Sequence, residues 1–191
     1  MDCLVVSGSN RKISQSERIS KIIQKISKEQ LSNSPNIFDL YSNNLPLWNE
    51  EGSSPTNKKV ESIKKLFSQA SSFIFVVPEW HGMVPPHVKN LILLLGTKPL
   101  WHKPALIVGV SSSNGGAYPA MELRGSSHKN SHICWIPEQI IIRNVKLWEP
   151  KKNDEIYERL ISYLKVLDTY SKKFKDIREE LLQIDIKDFG M

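Results

Sequence analysis

The chain has 191 residues, of which 40% are hydrophobic, and a formal net charge of +6 at pH 7. This length suits one domain, residues 1–191, that is large enough to bury a core. Its two cysteines cannot form a disulfide framework or a metal-ligand cluster, so we expect no metal and a reducing, cytoplasmic location. No signal peptide is recognisable, and the longest strongly apolar run, Leu91–Leu95, is too short to span a bilayer, so we expect no membrane partner.

The positive charge is not arranged as it is in nucleic-acid-binding proteins. No run of Lys or Arg exceeds two residues, and basic residues do not alternate with aromatic ones. We therefore expect no nucleic-acid partner and interpret the charge as attraction for anionic small molecules.

The first strand and the loop after it carry the strongest indication of a binding site. Leu4–Val6 predicts a short buried strand. A helix is expected from about Gln15, because Ser14 and Glu17 have the spacing of a capping box. The loop leads into the positive N-terminal end of that helix, where a phosphate can bind. Further hydrogen-bond donors in this segment are Ser9, Arg11, Ser14 and Ser16.

An ordinary strand-to-helix connection with a good cap explains the same residues, and two common phosphate loops are missing. The segment contains neither G-x-x-x-x-G-K-[ST] nor G-x-G-x-x-G, because Gly8 is its only glycine. This argues against a P-loop for ATP or GTP and against a dinucleotide fold built on this strand. A loop rich in serine with one arginine suits the monophosphate of flavin mononucleotide (FMN).

The next segments alternate between strands and helices. A strand is predicted over Asn36–Leu40 and a helix over Thr56–Ala70, separated by the polar loop Tyr41–Pro55. A loop of this length is typical of a lid or a binding segment. Ser72–Val77 is apolar on both faces and predicts a central parallel strand, with Pro78–Gly82 following its carboxyl end.

The third helix, predicted from Pro85-Pro86 to Gly96, has almost no polar face. A helix that is apolar all round is expected to be buried all round, with one side on the sheet and the other on a further partner. A second copy of the chain is the simplest such partner, so we expect a homodimer or homotetramer. The substitution Leu94→Glu would test this if Leu94, rather than Leu93, faces outward.

The remaining elements continue the alternation. A strand is predicted over Pro104–Val110, then a small-residue loop over Ser111–Ala117 that leads into a helix. A fifth strand is predicted over Gln139–Ile142 and a last helix over about Asn153–Gln183. The pattern predicts an α/β fold with a parallel sheet and helices on both faces. The loops after strands one, three and four then meet at the carboxyl edge, where such sheets bind ligands.

Four motifs in these loops together resemble the NADPH-dependent FMN reductase family. They are G-S-N-R-K-I-S-Q-S, L-P-L-W-N-E-E, P-E-W-H-G with V-P-P-H-V-K-N downstream, and S-S-S-N-G-G-A with L-R downstream. The resemblance covers about residues 3–145. It implies a flavodoxin-like three-layer sandwich with a five-stranded parallel sheet in the order 2-1-3-4-5.

The resemblance also implies roles for particular residues. The FMN phosphate would be held by Ser9, Arg11, Ser14, Gln15 and Ser16. The isoalloxazine ring would be lined by the backbone of Pro78, Glu79, Trp80, His81 and Gly82, with Ser111, Gly115 and Gly116 packed near it. Trp48 would lie at the rim of the site, contributed by the same or a partner subunit.

The implied activity is that of an FMN-dependent oxidoreductase. NADPH or NADH would donate electrons to a small acceptor: a quinone, an azo or nitro compound, a metal oxyanion or free flavin. Because the flavin carries the chemistry, no side chain is expected to be an essential catalyst. Glu79 has two interpretations, as a general acid or base, or as a solvent-facing side chain whose backbone matters.

The chain departs from the family pattern at several positions. The family usually has Gly where Ile13 stands, and Asn where Ser16 and His81 stand. Leu93 and Leu94 replace an Asp and a Trp. These departures favour a second hypothesis, a flavin-binding or regulatory protein that lacks reductase activity. His81 would then be either a packing residue or a group that carries a proton near the flavin.

Overall fold

The computed structural model describes residues 3–31 and 33–184. Five parallel strands form one sheet in the order β2-β1-β3-β4-β5, as expected. The strands are β1 (Cys3–Ser7), β2 (Asn36–Asp39), β3 (Ser72–Pro78), β4 (Pro104–Val110) and β5 (Cys134–Ile142). The helices are α1 (Gln15–Leu31), α2 (Leu40–Asn43), α3 (Lys58–Gln69), α4 (Pro86–Leu95), α5 (Ala117–Ser126), α6 (His128–Ser131) and α7 (Glu155–Leu181). None of the helices in the described part is long and apolar enough to cross a membrane.

Alternating side chains of the central strands build a separate core on each face of the sheet. Phe73 and Phe75 of β3 pack in the cluster that also contains residues of α3, α4 and α5. Ile74, between them, packs in the cluster formed with α1 and α7. This alternation follows from the period of two in a strand, and it gives the flavodoxin-like arrangement of three layers.

Two strand predictions need correction at their ends. The predicted strand Asn36–Leu40 stops at Asp39, because the Asp39 side chain accepts hydrogen bonds from the backbone N–H and hydroxyl of Ser42 at 3.0 and 2.8 Å and so caps α2. The predicted strand Gln139–Ile142 is only the end of β5, which begins at Cys134 and contains an irregularity in its pairing with β4. Arg124 satisfies the irregular segment by donating to the carbonyls of Ile136 and Glu138 at 2.6 and 2.9 Å.

Within the single chain, α4 is buried on one side only, as expected for a helix whose other side awaits a partner. Leu94 is 3% exposed and belongs to the core, whereas Leu93 is 52% exposed. The assumption that Leu94 faces outward was therefore wrong, since the two leucines lie about 100° apart around the helix axis. Gly96 ends the helix as predicted, with its backbone N–H directed at the carbonyls of Ile92 and Leu93.

Candidate functional site

The loops after β1, β3 and β4 lie together at the carboxyl edge of the sheet. Gly8 donates its N–H to the carbonyl of Val76 at 2.8 Å, which joins the first loop to β3. A Cβ on Gly8 would lie 2.8 Å from that same oxygen, so only glycine fits at this point. Glu79 donates its N–H to the carbonyl of Val110 at 3.0 Å, which joins the second loop to β4.

The loop after β1 orders its serines around the start of α1. The Ser14 hydroxyl accepts the N–H of Glu17 at 3.0 Å, which is the predicted cap. The Ser9 hydroxyl, on a residue that is 2% exposed, accepts the N–H of Arg11 at 3.2 Å. Ser16 is 1% exposed, and its hydroxyl has no hydrogen-bond partner within residues 3–31 and 33–184. An unpaired buried hydroxyl on the first turn of a helix fits a phosphate, because it retains a free donor beside the unpaired N–H groups.

The guanidinium of Arg11 lies over the indole ring of Trp80, 4.7 Å from the ring centroid. This cation–π contact joins the loop after β1 to the loop after β3 and holds an exposed cation beside the helix start. The structure thus brings the arginine of the predicted phosphate group and the tryptophan of the predicted ring group into direct contact.

The side chain of Gln15, which the resemblance assigns to the phosphate, is already engaged in a hydrogen bond within the protein. Its side-chain oxygen accepts a hydrogen bond from Nε of Arg18 at 2.8 Å. Arg18 also donates to the carbonyls of Val145 and Trp148, the latter at 3.1 Å, and so ties α1 to the segment after β5. The local sequence pattern does not indicate this role of Arg18, since the carbonyls of Val145 and Trp148 are more than 120 residues away along the chain.

Two of the residues that depart from the family pattern in these motifs, Ile13 and His81, occupy left-handed backbone. Ile13 has φ +55° and is 87% exposed, and His81 has φ +50°. Glycine and asparagine, which the family places at these positions, are the residues that tolerate this conformation. Ile13 therefore carries backbone strain that the side chain does not offset by burial.

The segment Trp80–Met83 is a tight turn closed by two backbone hydrogen bonds, of 3.1 and 2.9 Å, between its end residues. His81 and Gly82, at its tip, both have positive φ and are exposed. Such a turn directs backbone groups outward with little freedom.

Glu79 lies against the loop after β4. Its carboxylate accepts the backbone N–H of Gly116 at 2.5 Å. A Cβ on Gly115 would lie 2.5 Å from the other carboxylate oxygen, and Gly116 itself has φ +101°. The interpretation of Glu79 as a solvent-facing side chain was therefore wrong, because the carboxylate latches two loops of the site together.

Further hydrogen bonds hold the loop after β4 and the residues that follow the turn Trp80–Met83. Ser111 donates its N–H to the carbonyl of Ile142 at 3.0 Å, so the start of the third loop is anchored to β5. Glu122 accepts hydrogen bonds from the N–H of Val84 and from Lys89, both at 2.8 Å. Partial burial opposes its ionisation, but these hydrogen bonds and the Lys89 charge outweigh it and hold the pKa of Glu122 below its usual value.

His128 and His132 have the i, i+4 spacing that can place two metal ligands on one side of a helix. His128 and His132, four residues apart, lie on α6 and at its C-terminal cap. The His132 ring packs edge-on against His102, with the ring centroids 5.3 Å apart. Within the described part of the chain, no group of three or more His, Cys, Asp or Glu side chains is placed to hold a metal ion.

Comparison with known proteins gives matches in both sequence and structure. The sequence profile of the NADPH-dependent FMN reductase family matches residues 1–146. An NADPH azoreductase of Bacillus sp. (strain OY1-2) is 23% identical over 181 residues, which are 95% of this chain and 98% of that protein.

Solved structures share the fold at low sequence identity. An oxidoreductase from Corynebacterium diphtheriae superposes with a TM-score of 0.75 at 15% identity, over 90% of this chain and 96% of that one. The flavoenzyme NAD(P)H:(acceptor) oxidoreductase of Paracoccus denitrificans gives a TM-score of 0.65 at 19% identity, over 91% and 97% of the two chains.

Proposed function

We propose, from the premise that the chain belongs to the NADPH-dependent FMN reductase family, that this oxidoreductase passes electrons from NADPH or NADH through FMN to an azo compound or a quinone. When bound, FMN supplies a two-electron carrier between the nicotinamide donor and the acceptor. An azo acceptor is favoured by the similarity to an azoreductase over nearly the whole chain.

The observation that carries this proposal is the loop after β1. Its Ser16 hydroxyl is buried and unpaired in the described structure, and Arg11 is held beside the same helix start by Trp80. A phosphate there would gain the hydroxyl, the free N–H groups of the first turn and a planar cation. In this proposal Ser9, Ser14 and Gln15 shape the loop around that phosphate.

The other two loops would position the flavin ring. The turn Trp80–Met83 and the glycines Gly115 and Gly116 present backbone at the carboxyl edge, and the Glu79 latch sets the distance between them. Pro78 ends β3 directly below, in register with Val110. These residues orient a planar ligand and hold no proton that the reaction requires, so none of them is assigned a chemical step.

We further propose that two copies of the chain associate through the face that carries α4. A groove of about 610 Å³ lies between α4 and the α5–α6 segment, and exposed Leu93 and Trp48 form part of it. The backbone N–H of Trp48 is bound by the Asn90 side chain at 2.7 Å, which fixes the segment after β2 on this face. An exposed apolar surface of this kind is commonly buried between subunits.

The purified protein tests the main proposal through its absorption spectrum and one anaerobic titration. We expect a yellow protein with about one FMN per chain, whose flavin absorbance bleaches on addition of NADPH or NADH and returns on addition of an azo dye or a quinone. A protein that binds FMN but is not reduced by either nicotinamide would support the flavin-binding hypothesis instead. A colourless protein with no affinity for FMN would contradict both.

A further inference from the structure

A second cavity opens at the carboxyl edge, beside the loop after β1. Its volume is about 480 Å³, which is within the range of small-molecule sites. Asn10 of that loop forms one wall, and His87 on the first turn of α4 forms another. The third wall consists of residues that follow β2, which are Leu40, Tyr41, Ser42, Asn44 and Leu45. Because β1 lies between β2 and β3 in the sheet, the segment after β2 flanks the phosphate loop on the side away from the flavin ring loops.

The cavity walls offer both aromatic and polar groups. Tyr41, which is 44% exposed, lines it together with His87. The side-chain nitrogen of Asn10 and Nε2 of His87 are 2.9 Å apart, and Nδ1 of His87 is buried without a partner in the described structure. These groups suit a flat, nitrogen-rich ring, which can stack on an aromatic side chain and exchange hydrogen bonds with its neighbours.

A lysine stands at the rim of this cavity. Lys59, on the first turn of α3, donates from Nζ to the carbonyl of Asn44 at 2.8 Å, and Asn44 lines the cavity. Asp39, which precedes the wall residue Leu40, caps α2 through Oδ2, while its Oδ1 is buried without a partner in the described structure, and the residue is not part of the cavity lining. The cavity therefore has a cation bonded to one of its wall residues and no acidic residue in its lining.

We propose that this cavity binds the adenosine half of the nicotinamide donor, with Tyr41 against the adenine and Lys59 paired with the 2′-phosphate that distinguishes NADPH from NADH. The proposal rests on the proposed function, since it requires a nicotinamide at the flavin. Three inter-strand spacings, about 14 Å in total, separate β2 from β4. A dinucleotide with its nicotinamide over the loops after β3 and β4 would therefore cross the FMN phosphate loop and place its far end at this cavity.

The first test uses fragments that contain the adenosine end but no nicotinamide. Calorimetric titration of the FMN-loaded protein compares adenosine 2′,5′-bisphosphate with 5′-AMP, in wild type, Lys59→Gln and Lys65→Gln. Lys65 is the matched control, because it is an exposed lysine of α3 about 9 Å further along the helix. We expect Lys59→Gln to weaken binding of the bisphosphate about threefold to fivefold, as for one exposed ion pair, and to leave binding of 5′-AMP unchanged. Lys65→Gln should change neither.

A second variant distinguishes the contribution of the adenine base to binding from that of the 2′-phosphate. Tyr41→Ala should weaken both fragments by about tenfold, because each stacks the same adenine. Since Tyr41 is half exposed, the variant is expected to fold, and far-ultraviolet circular dichroism checks this. The Michaelis constant for NADPH should rise in both Lys59→Gln and Tyr41→Ala, and that for NADH only in the latter.

Several results would overturn the subsite. These are no binding of either fragment to wild type at millimolar concentration, equal effects of Lys59→Gln and Lys65→Gln, or unchanged fragment affinity in folded Tyr41→Ala. If NADPH still reduces the bound FMN in wild type, such a result leaves the proposed function standing. If the fragments bind as expected but NADPH does not reduce the flavin, the subsite stands and the reductase function fails.

Discussion

The carboxylate of Glu79 accepts the backbone N–H of Gly116 at 2.5 Å, and this bond joins two loops that are 37 residues apart in the chain. The contact is possible only because Gly115 has no side chain, since a Cβ there would meet the other carboxylate oxygen at 2.5 Å. The hydrogen bond thus connects the motif residues of the loops after β3 and β4. The glutamate of the first motif and the glycines of the second are both required for this one contact.

Removing the Glu79 carboxylate is expected to weaken FMN binding. Glu79→Ala frees the loop after β4, and we expect the FMN dissociation constant to rise about tenfold, the effect of one hydrogen bond to a charged group. Quenching of flavin fluorescence on titration of the apoprotein measures this. Glu79→Gln keeps an oxygen acceptor and should lose less. An unchanged dissociation constant in Glu79→Ala would show that the latch does not position the flavin.

The same contact predicts a dependence between two substitutions. Gly115→Ala places a methyl group against the Glu79 carboxylate and should lower the free energy of unfolding by about 1–2 kcal/mol. In the Glu79→Ala background that obstacle is gone, so the same change should cost clearly less. Urea unfolding of the four proteins measures the coupling. Additive effects would mean that the loop relaxes away from Glu79 at no cost.

Arg11→Ala is expected to weaken FMN by about 1.5–3 kcal/mol, the range for a hydrogen bond to a charged group. The guanidinium is held over Trp80 at the start of α1, where the phosphate is proposed to bind. Riboflavin, which has no phosphate, is the control ligand. It should bind wild type weakly and be nearly indifferent to the substitution. An equal loss for both flavins would contradict the assignment of the loop after β1 to the phosphate.

Leucines on the two sides of α4 should respond differently to a charge. Leu93 is half exposed, so Leu93→Glu should leave the fold intact and yield monomers in sedimentation velocity, if two copies associate through this face. Leu94 is in the core, so Leu94→Glu should lower the free energy of unfolding by several kcal/mol. A Leu93→Glu protein that still sediments as wild-type dimer would place the interface elsewhere.

An element could be predicted from the sequence where neighbouring residues alone determine it, and was missed where it depends on residues far away in the chain. The bounds of β4 were predicted correctly, because the apolar residues 105–110 are bounded by Pro104 on one side and by a loop of serines on the other. The start of β5 was missed, because Pro137 and the polar residues after it do not resemble a strand. Arg124 of α5 donates hydrogen bonds to the backbone of that segment, and no pattern in the neighbouring sequence indicates this contact.

The sequence predicted which loops form the site, but not which residues of those loops contact one another. The parallel topology was sufficient to place the three loops on one edge. The phase of α4 was missed in the run of five apolar residues from Leu91 to Leu95, although the sequence carries a signal for it: Leu93 lies one turn after the polar residues Lys89 and Asn90, and so on their side of the helix. The contact of Arg11 with Trp80 and the latch of Glu79 on Gly116 join residues far apart in the chain, so only the folded structure shows them.

Ile13 should be replaceable with a gain in stability. It has φ +55° and an exposed, β-branched side chain, so Ile13→Gly relieves the left-handed strain and should raise the free energy of unfolding by about 1 kcal/mol. Ile13→Ala is the matched control, because it removes the branched side chain but keeps a Cβ. Denaturant unfolding measures both. A glycine variant no more stable than the alanine variant would show that the strain is relieved by some other contact.

Lys103 is expected to make stability depend on pH. It is 3% exposed, and its Nζ donates to the carbonyls of Phe67, Ser68 and Pro99, each at 2.9 Å, which caps the end of α3. Burial, with a smaller effect from the positive charge of Arg178, lowers the pKa of Lys103 to about 7. An unfolded lysine has a pKa of about 10.4, so between these values the unfolded chain binds more protons than the folded one.

The contribution of Lys103 to stability is therefore fully present above about pH 10.4 and decreases as the pH falls to about 7. Lys103→Met removes this dependence together with the cap. Urea titrations at pH 6, 7, 8, 9 and 10 give the free energy of unfolding of both proteins. We expect the value for wild type minus the value for the variant to increase with pH above pH 7 and to stay constant below it. Other ionising groups cancel in this difference, because they are common to both proteins. A difference that is constant across the range would show that Lys103 keeps its ordinary pKa in the fold.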